Sequence, residues 1–130
     1  MEETEDKTKC EHEFNSGFVT ALALFYAHHY NIQIFQETDK KMKEKGNSYN
    51  SAHLVLYGAT DHLYDLKIPE QLSDELKMKI KALLDFCFKV RMEFNVGYEI
   101  PIKAFEMCKE ILMDIDREVF KQKHVCIKYP

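Results

Sequence analysis

The sequence predicts an all-α protein, a four-helix antiparallel (up-and-down) bundle with a long, mostly buried first helix. Three observations predict this fold. Apolar residues recur at helical spacing in successive segments, and no segment of useful length alternates apolar and polar residues as a strand does. The 130 residues include only four Gly and three Pro, too few for a turn-rich sandwich or barrel. The connections are short, which places consecutive helices side by side.

The first helix is expected to begin between Glu11 and Asn15 and to run to about Lys45, and it is apolar on nearly every face. One stripe comprises Phe14, Phe18, Leu22, Phe25 and Ile32, and a second, on the opposite side, comprises Val19, Ala23, Tyr26, Tyr30 and Ile34. A surface helix usually carries a single apolar stripe. We therefore expect this helix to be the centre of the bundle or to share part of its surface with a partner chain.

The second helix is expected from about Tyr49 to Leu66, with Ser48 as its N-cap candidate. Its core stripe comprises Ala52, Val55, Leu56, Ala59, Leu63 and Leu66, and the opposite face carries His53, Tyr57, Thr60, Asp61 and Tyr64. Tyrosine is favoured at interfaces because it buries area while keeping a polar tip. This face is expected to pack against another subunit or the first helix; an acid/base or metal cluster around Asp61 is the alternative.

Helices three and four follow a break at Pro69. Ser73 is expected to cap the third helix and Gly97 to end it, and Pro101 suits the first turn of the fourth. Their buried faces are expected to comprise Leu76, Ile80, Leu83, Leu84, Cys87, Val90 and Phe94 in the third helix, and Phe105, Cys108, Leu112, Ile115 and Val119 in the fourth. Cys87 and Cys108 are therefore predicted to be buried, unreactive thiols.

Length and composition predict a single helical-bundle domain over residues 11–130, preceded by a disordered acidic leader at residues 1–10. The N-terminus has no apolar signal-peptide region, so a cytoplasmic location is expected. The densest apolar run, Phe18 to Tyr30, is too short to span a bilayer. A net charge of −4 argues against DNA binding and against general binding of polyanions.

The six histidines raise the question of a metal site. The chain contains neither the Glu-x-x-His pairs of di-iron bundles nor the His-Glu-x-x-His zincin pattern. We expect at least one of His28 and His29 to be largely buried and hydrogen-bonded to a backbone carbonyl or a tyrosine hydroxyl. No cofactor is expected, apart from a zinc clasp that could join the two chain ends through Cys10, His12, His124 and Cys126. The alternative is that these four residues are unrelated.

Arg117 and His124 bracket six residues. This spacing resembles the Arg-x4-6-His motif of HEPN-type ribonucleases, helical bundles in which a dimer assembles a cleft from two such motifs. The resemblance covers these two residues. It implies that Arg117 would stabilise the strained phosphate of an RNA substrate and that His124 would act in proton transfer.

Taken together, these features favour an interaction or assembly module without catalytic activity, either a homodimer or a subunit of a larger assembly. The interface is expected to include Tyr26, Tyr30, His53, Tyr57, Asp61 and Tyr64. The two alternatives are a HEPN-like ribonuclease and a zinc-clasped bundle. No membrane or DNA partner is expected, and RNA is expected as a partner only if the chain is a HEPN-like ribonuclease.

Overall fold

The computed structural model describes residues 17–46, 51–93 and 95–121. Over these residues four helical segments pack against each other and no strand is present, which confirms the all-α, four-helix prediction. The acidic leader predicted at residues 1–10 lies outside the described residues.

The four segments are divided by short departures from α-helical geometry. The first consists of α1 (Val19–Ala27), a 3-10 turn (His28–Tyr30) and α2 (Asn31–Glu44). The second is α3 (Ala52–Thr60) with a 3-10 turn (Asp61–Leu63), the third is α4 (Asp74–Val90), and the fourth is α5 (Glu99–Ile115) continued by a π-helical stretch (Asp116–Lys121).

The first and second segments run antiparallel, and so do the third and fourth. Asp39 and His28 contact Ser51 and His62, so the late part of the first segment lies beside the start of the second. Ser73 and Lys79 contact Glu118 and Glu110, so the start of the third segment lies beside the end of the fourth. Between the second and third segments, Asp61 and Tyr64 contact Arg91 and Phe88, so the ends of these two segments lie together.

The core forms where α1 packs against α5. Leu22 and Phe25 are fully buried, and the Phe25 and Phe105 ring centroids lie 5.1 Å apart. The Cys108 thiol donates to the Leu22 carbonyl oxygen across 3.4 Å. Burying one Leu or Phe side chain contributes about 1.5–3 kcal/mol. The apolar spacing of α1 therefore fixes the first segment against the last.

Helix boundaries agree with the sequence where local signals set them. Ser73 caps α4 by accepting the Leu76 N–H, and Pro101 lies in the first turn of α5, both as predicted. The second helix begins at Ala52 rather than Tyr49, with Ser51 as its N-cap; Ser48 lies outside the described residues. The third helix ends at Val90 rather than Gly97, and beyond it Val96 returns to the buried interior.

Burial of the first segment is uneven. α1 buries Val19, Leu22 and Phe25, but α2 contains no buried residue. The expectation of a mostly buried first helix therefore holds for one face of α1, since Ala23, Leu24 and Ala27 on its other side are exposed, and not for α2. The physical reason is that α1 lies against α5, whereas α2 extends past that contact and packs mainly on α3.

Candidate interaction surface

The outer face of the first segment carries an exposed apolar stripe. It comprises Ala23, Leu24, Ala27, Tyr30 and Ile34, all of them exposed. The exposed fractions of Leu24, Tyr30 and Ile34 are 46%, 72% and 58%. These residues recur at helical spacing over roughly 16 Å at about 1.5 Å per residue. We call this set the exposed stripe.

The exposed stripe lies in a stretch of the first segment that has no charged residue. Residues 17–36 contain no Asp, Glu, Lys or Arg, although most of their positions are exposed or partly exposed to water. The outer faces of surface helices normally carry charged and polar residues. Depletion of charged residues is characteristic of the central part of protein interfaces. The composition of this face is therefore unusual for the outer side of a surface helix.

Tyr26 and Tyr30, both predicted as interface residues, flank the ring of His29. The His29 ring centroid lies 4.3 Å from that of Tyr26 and 4.0 Å from that of Tyr30. His29 Nδ1 donates to the Tyr26 carbonyl oxygen at 2.6 Å, the backbone-carbonyl bond that the sequence led us to expect. Tyr26 is half-buried and Tyr30 projects outward. The contact with the His29 ring restricts the side chain of Tyr30, although most of that side chain is exposed.

The Tyr/His/Asp face of α3 packs largely against an arginine of the same chain. The Arg91 guanidinium carbon lies 4.2 Å from the Tyr57 ring centroid and 4.4 Å from that of Tyr64. Arg91 also donates to Asp61 Oδ1 at 2.9 Å. Arg91 is only 7% exposed, so its charge is held by one carboxylate and two aromatic faces.

Three of the predicted interface residues, Tyr57, Asp61 and Tyr64, therefore contact Arg91 of the same chain. Their outer surfaces remain exposed. His53 is half-buried, and Thr60, placed on this face by its spacing, is fully buried and donates to the Tyr57 carbonyl oxygen. Sequence reasoning missed Arg91. The available signal was that an arginine directly following a core stripe needs an acidic or aromatic partner to be buried.

His28 pairs with a histidine rather than with a carbonyl or a tyrosine. Its Nε2 lies 3.1 Å from Nε2 of His62, and Asn31 Nδ2 lies 3.3 Å from its Nδ1. Burial and the neighbouring His62 lower the pKa of His28, and Asp61 partly opposes them. His28 and His29 are both partly buried.

Arg117 lies at an open pocket of about 330 Å³ lined by Ser73, Glu75, Leu76, Lys79, Asp114, Arg117 and Glu118. Its guanidinium is ion-paired with Asp114, whose other oxygen accepts from Lys79 Nζ at 2.7 Å. Three carboxylates against two cations give this pocket a negative balance, which disfavours a phosphate ligand. His124, the second residue of the ribonuclease hypothesis, lies outside the described residues.

The predicted zinc ligands Cys10, His12, His124 and Cys126 also lie outside the described residues. Within residues 17–46, 51–93 and 95–121, no group of three or more metal-binding side chains is placed to hold an ion. Cys87 and Cys108 are buried, as predicted. Burial raises the pKa of the Cys87 thiol to about 12 and raises that of Cys108 as well, so both thiols stay protonated and unreactive.

Comparison with known proteins gave no match to a protein-family model, to a curated protein or to a solved structure. Across the part of the chain that the structure describes, none of the helices combines the length and the apolar character that crossing a bilayer requires.

Proposed function

We propose that this chain is a helical interaction module without catalytic activity that forms a homodimer through the exposed stripe. The supporting observation is the combination of exposure and charge depletion along α1 and α2. Leu24, Tyr30 and Ile34 are large and exposed, and no charged residue occurs from residue 17 to residue 36. Removing such a surface from water would contribute roughly 25 cal/mol per Å² of buried apolar area to the free energy of association.

The arrangement of large and small side chains within the stripe suits a second copy of the chain. Ala23 and Ala27 lie one helical turn apart, so two helices can approach closely there, while Leu24, Tyr30 and Ile34 supply bulk around them. A twofold interface requires that one patch fit a copy of itself. In an antiparallel crossing at Ala27, Leu24 of one copy lies beside Tyr30 of the other, so these bulky side chains flank the close contact between the two Ala27 residues.

Sedimentation equilibrium of the full chain tests this proposal. The parent is expected to dimerise at micromolar concentrations, and Ala27→Glu is expected to weaken dimerisation at least 100-fold, because two carboxylates would be buried at the crossing point. Circular dichroism should show unchanged helix content, since Ala27 is exposed in the monomer.

The matched control is Met78→Glu, an equally drastic change at an exposed apolar residue on α4, distant in sequence from the stripe. This variant should dimerise like the parent. A parent that stays monomeric at high micromolar concentration contradicts the proposal. Equal weakening by Ala27→Glu and Met78→Glu would contradict the location of the interface.

A further inference from the structure

The His28 and His62 pair joins two 3-10 turns. His28 lies in the turn between α1 and α2, and His62 lies in the turn that follows α3. Their side chains meet across 34 positions of sequence with the two Nε2 atoms 3.1 Å apart. A mid-helix 3-10 turn often marks a functional position. Here each of the two 3-10 turns carries one histidine, and the two imidazole rings face each other.

The distance between these nitrogens fits two ligands of one metal ion. Imidazole nitrogen lies about 2.0–2.1 Å from zinc, so two nitrogens 3.1 Å apart subtend roughly 100° at the ion. That angle is larger than the ligand–metal–ligand angle of square or octahedral coordination and smaller than that of tetrahedral coordination. We propose that His28 and His62 form a two-imidazole site for a divalent late transition metal ion, such as Zn²⁺ or Cu²⁺, with water at the remaining positions.

The tautomers of the pair permit a metal ion to bind. Imidazole binds metals in its neutral form, and the side chains of His28 and His62 meet through their Nε2 atoms, the nitrogens that would coordinate the ion. In the metal-free pair, one Nε2–H donates to the other Nε2. On binding, the proton of that ring moves from Nε2 to Nδ1; for His28, the side-chain carbonyl oxygen of Asn31 can accept it after the amide turns over. No proton is released overall.

The surroundings give the ion a route. An open pocket of about 380 Å³ adjoins His62 and is bordered by Asp61, Asp65 and Lys67. Arg91 pairs with Asp61 and Lys67 offsets Asp65, so the two imidazoles, and not the charge of the pocket, would hold the ion. Two nitrogen donors select late transition metals over Mg²⁺ and Ca²⁺, which prefer oxygen ligands.

The site is tested on the full chain with Cu²⁺ and Zn²⁺ as probes. Pulsed electron paramagnetic resonance of the Cu²⁺-loaded parent should show two equatorial imidazoles, and His28→Gln or His62→Gln should abolish that signature. Saturating Zn²⁺ should raise the Tm of the parent by about 5–10 °C through binding to the folded state. Each histidine variant, compared with its own melting in chelator, should lose this rise.

The matched control is His29→Gln, which removes a neighbouring imidazole that binds the Tyr26 carbonyl instead. It should retain both the two-imidazole signature and the rise in Tm. A parent without two coordinated imidazoles overturns the proposal even if the variants fail to fold. A parent-like rise in Tm for both His28→Gln and His62→Gln overturns it too, because another site would then hold the ion. Loss of dimerisation has no bearing on these readouts.

Discussion

Two serines begin helices with the same pair of bonds, but in different surroundings. Ser51 precedes α3 and donates from its backbone N and Oγ to the Asp39 carboxylate, at 2.9 and 2.7 Å. Ser73 precedes α4 and donates in the same way to the Glu118 carboxylate, at 2.6 and 2.8 Å. In each case a carboxylate from another segment accepts at the N-terminus of a helix, where negative charge is favourable.

The two caps differ in burial and in what else they hold. Ser51 is buried, and Tyr98, the N-cap residue of α5, donates a third hydrogen bond to Asp39. Ser73 is exposed, and its Oγ also accepts the Leu76 N–H of its own helix. The Asp39 cap therefore ties α2 to the starts of α3 and α5, whereas the Glu118 cap supplements a helix start that Ser73 already provides.

The Asp39 cap adds a polar attachment to a helix that is only partly buried. No residue of α2 is fully buried, although Ile32 and Phe35 pack against the core, and the Asp39 bonds join α2 to the start of α3. Burial acts to raise the pKa of Asp39, but the hydrogen bonds from Ser51 and Tyr98, with the charge of His53, outweigh it and leave the pKa below its ordinary value. Ile34 of the exposed stripe lies on the same helix, so this polar cap also positions part of the proposed interface.

The largest effect is expected from Asp39→Ala. It removes the acceptor of buried Ser51 N–H and Oγ–H groups and of the Tyr98 hydroxyl, and unsatisfied buried donors cost about 1–3 kcal/mol each. Because the structure around the Ser51 and Tyr98 donors can partly relax, the free energy of unfolding measured by urea denaturation should fall by about 2–4 kcal/mol. A loss below about 1 kcal/mol would mean that water replaces Asp39 and that burial does not distinguish the two caps.

Acid should weaken the Asp39 cap specifically. A carboxyl whose folded pKa lies below its unfolded pKa, about 3.9, stabilises the fold fully above the unfolded value and loses this contribution as the pH falls through the folded value. The difference in unfolding free energy between the parent and Asp39→Asn should therefore be constant above about pH 5 and shrink below about pH 4. A difference that stays unchanged or grows under acid would contradict the assignment of the low pKa to Asp39.

Sequence reasoning identified one of these caps because its signal is local. Ser73 follows a proline break and precedes an apolar helical stripe, so its role as N-cap was predictable. Ser51 forms no side-chain cap with α3, and its partner Asp39 lies 12 residues earlier in a different helix. No local pattern reports such a pairing, which explains why the second helix was expected to begin at Tyr49 rather than Ala52.

The candidate site shows the same division between local and long-range signals. Helical periodicity predicted the fold and the excess apolar surface of the first helix. It did not say which side would be covered, because that depends on where α5 packs. The partners of Tyr57 and His28 were likewise unpredictable, since Arg91 and His62 lie 34 residues away from them. Pairing at such separations follows from the tertiary fold rather than from spacing.

The smallest effect is expected from Glu118→Ala, the counterpart of Asp39→Ala. Ser73 is exposed, so its N–H and Oγ–H can donate to water when the carboxylate is removed, and its own cap of Leu76 survives. The unfolding free energy should fall by only about 0.5–1 kcal/mol, less than for Ser73→Ala, which loses the Oγ–H bond to Glu118 and the cap of Leu76 and keeps only the backbone N–H bond.

Measured in the same urea titrations, these two variants compare the two caps directly. Glu118 and Asp39 each accept two bonds from a serine, and Asp39 accepts a third from Tyr98, so equal costs for their removal would show that neither burial nor the third bond adds to the energy. A cost for Glu118→Ala several-fold below that of Asp39→Ala would instead assign the difference to the buried Ser51 donors and the Tyr98 bond. In that case the attachment of α2, and with it the position of Ile34, depends on a polar group that water cannot replace.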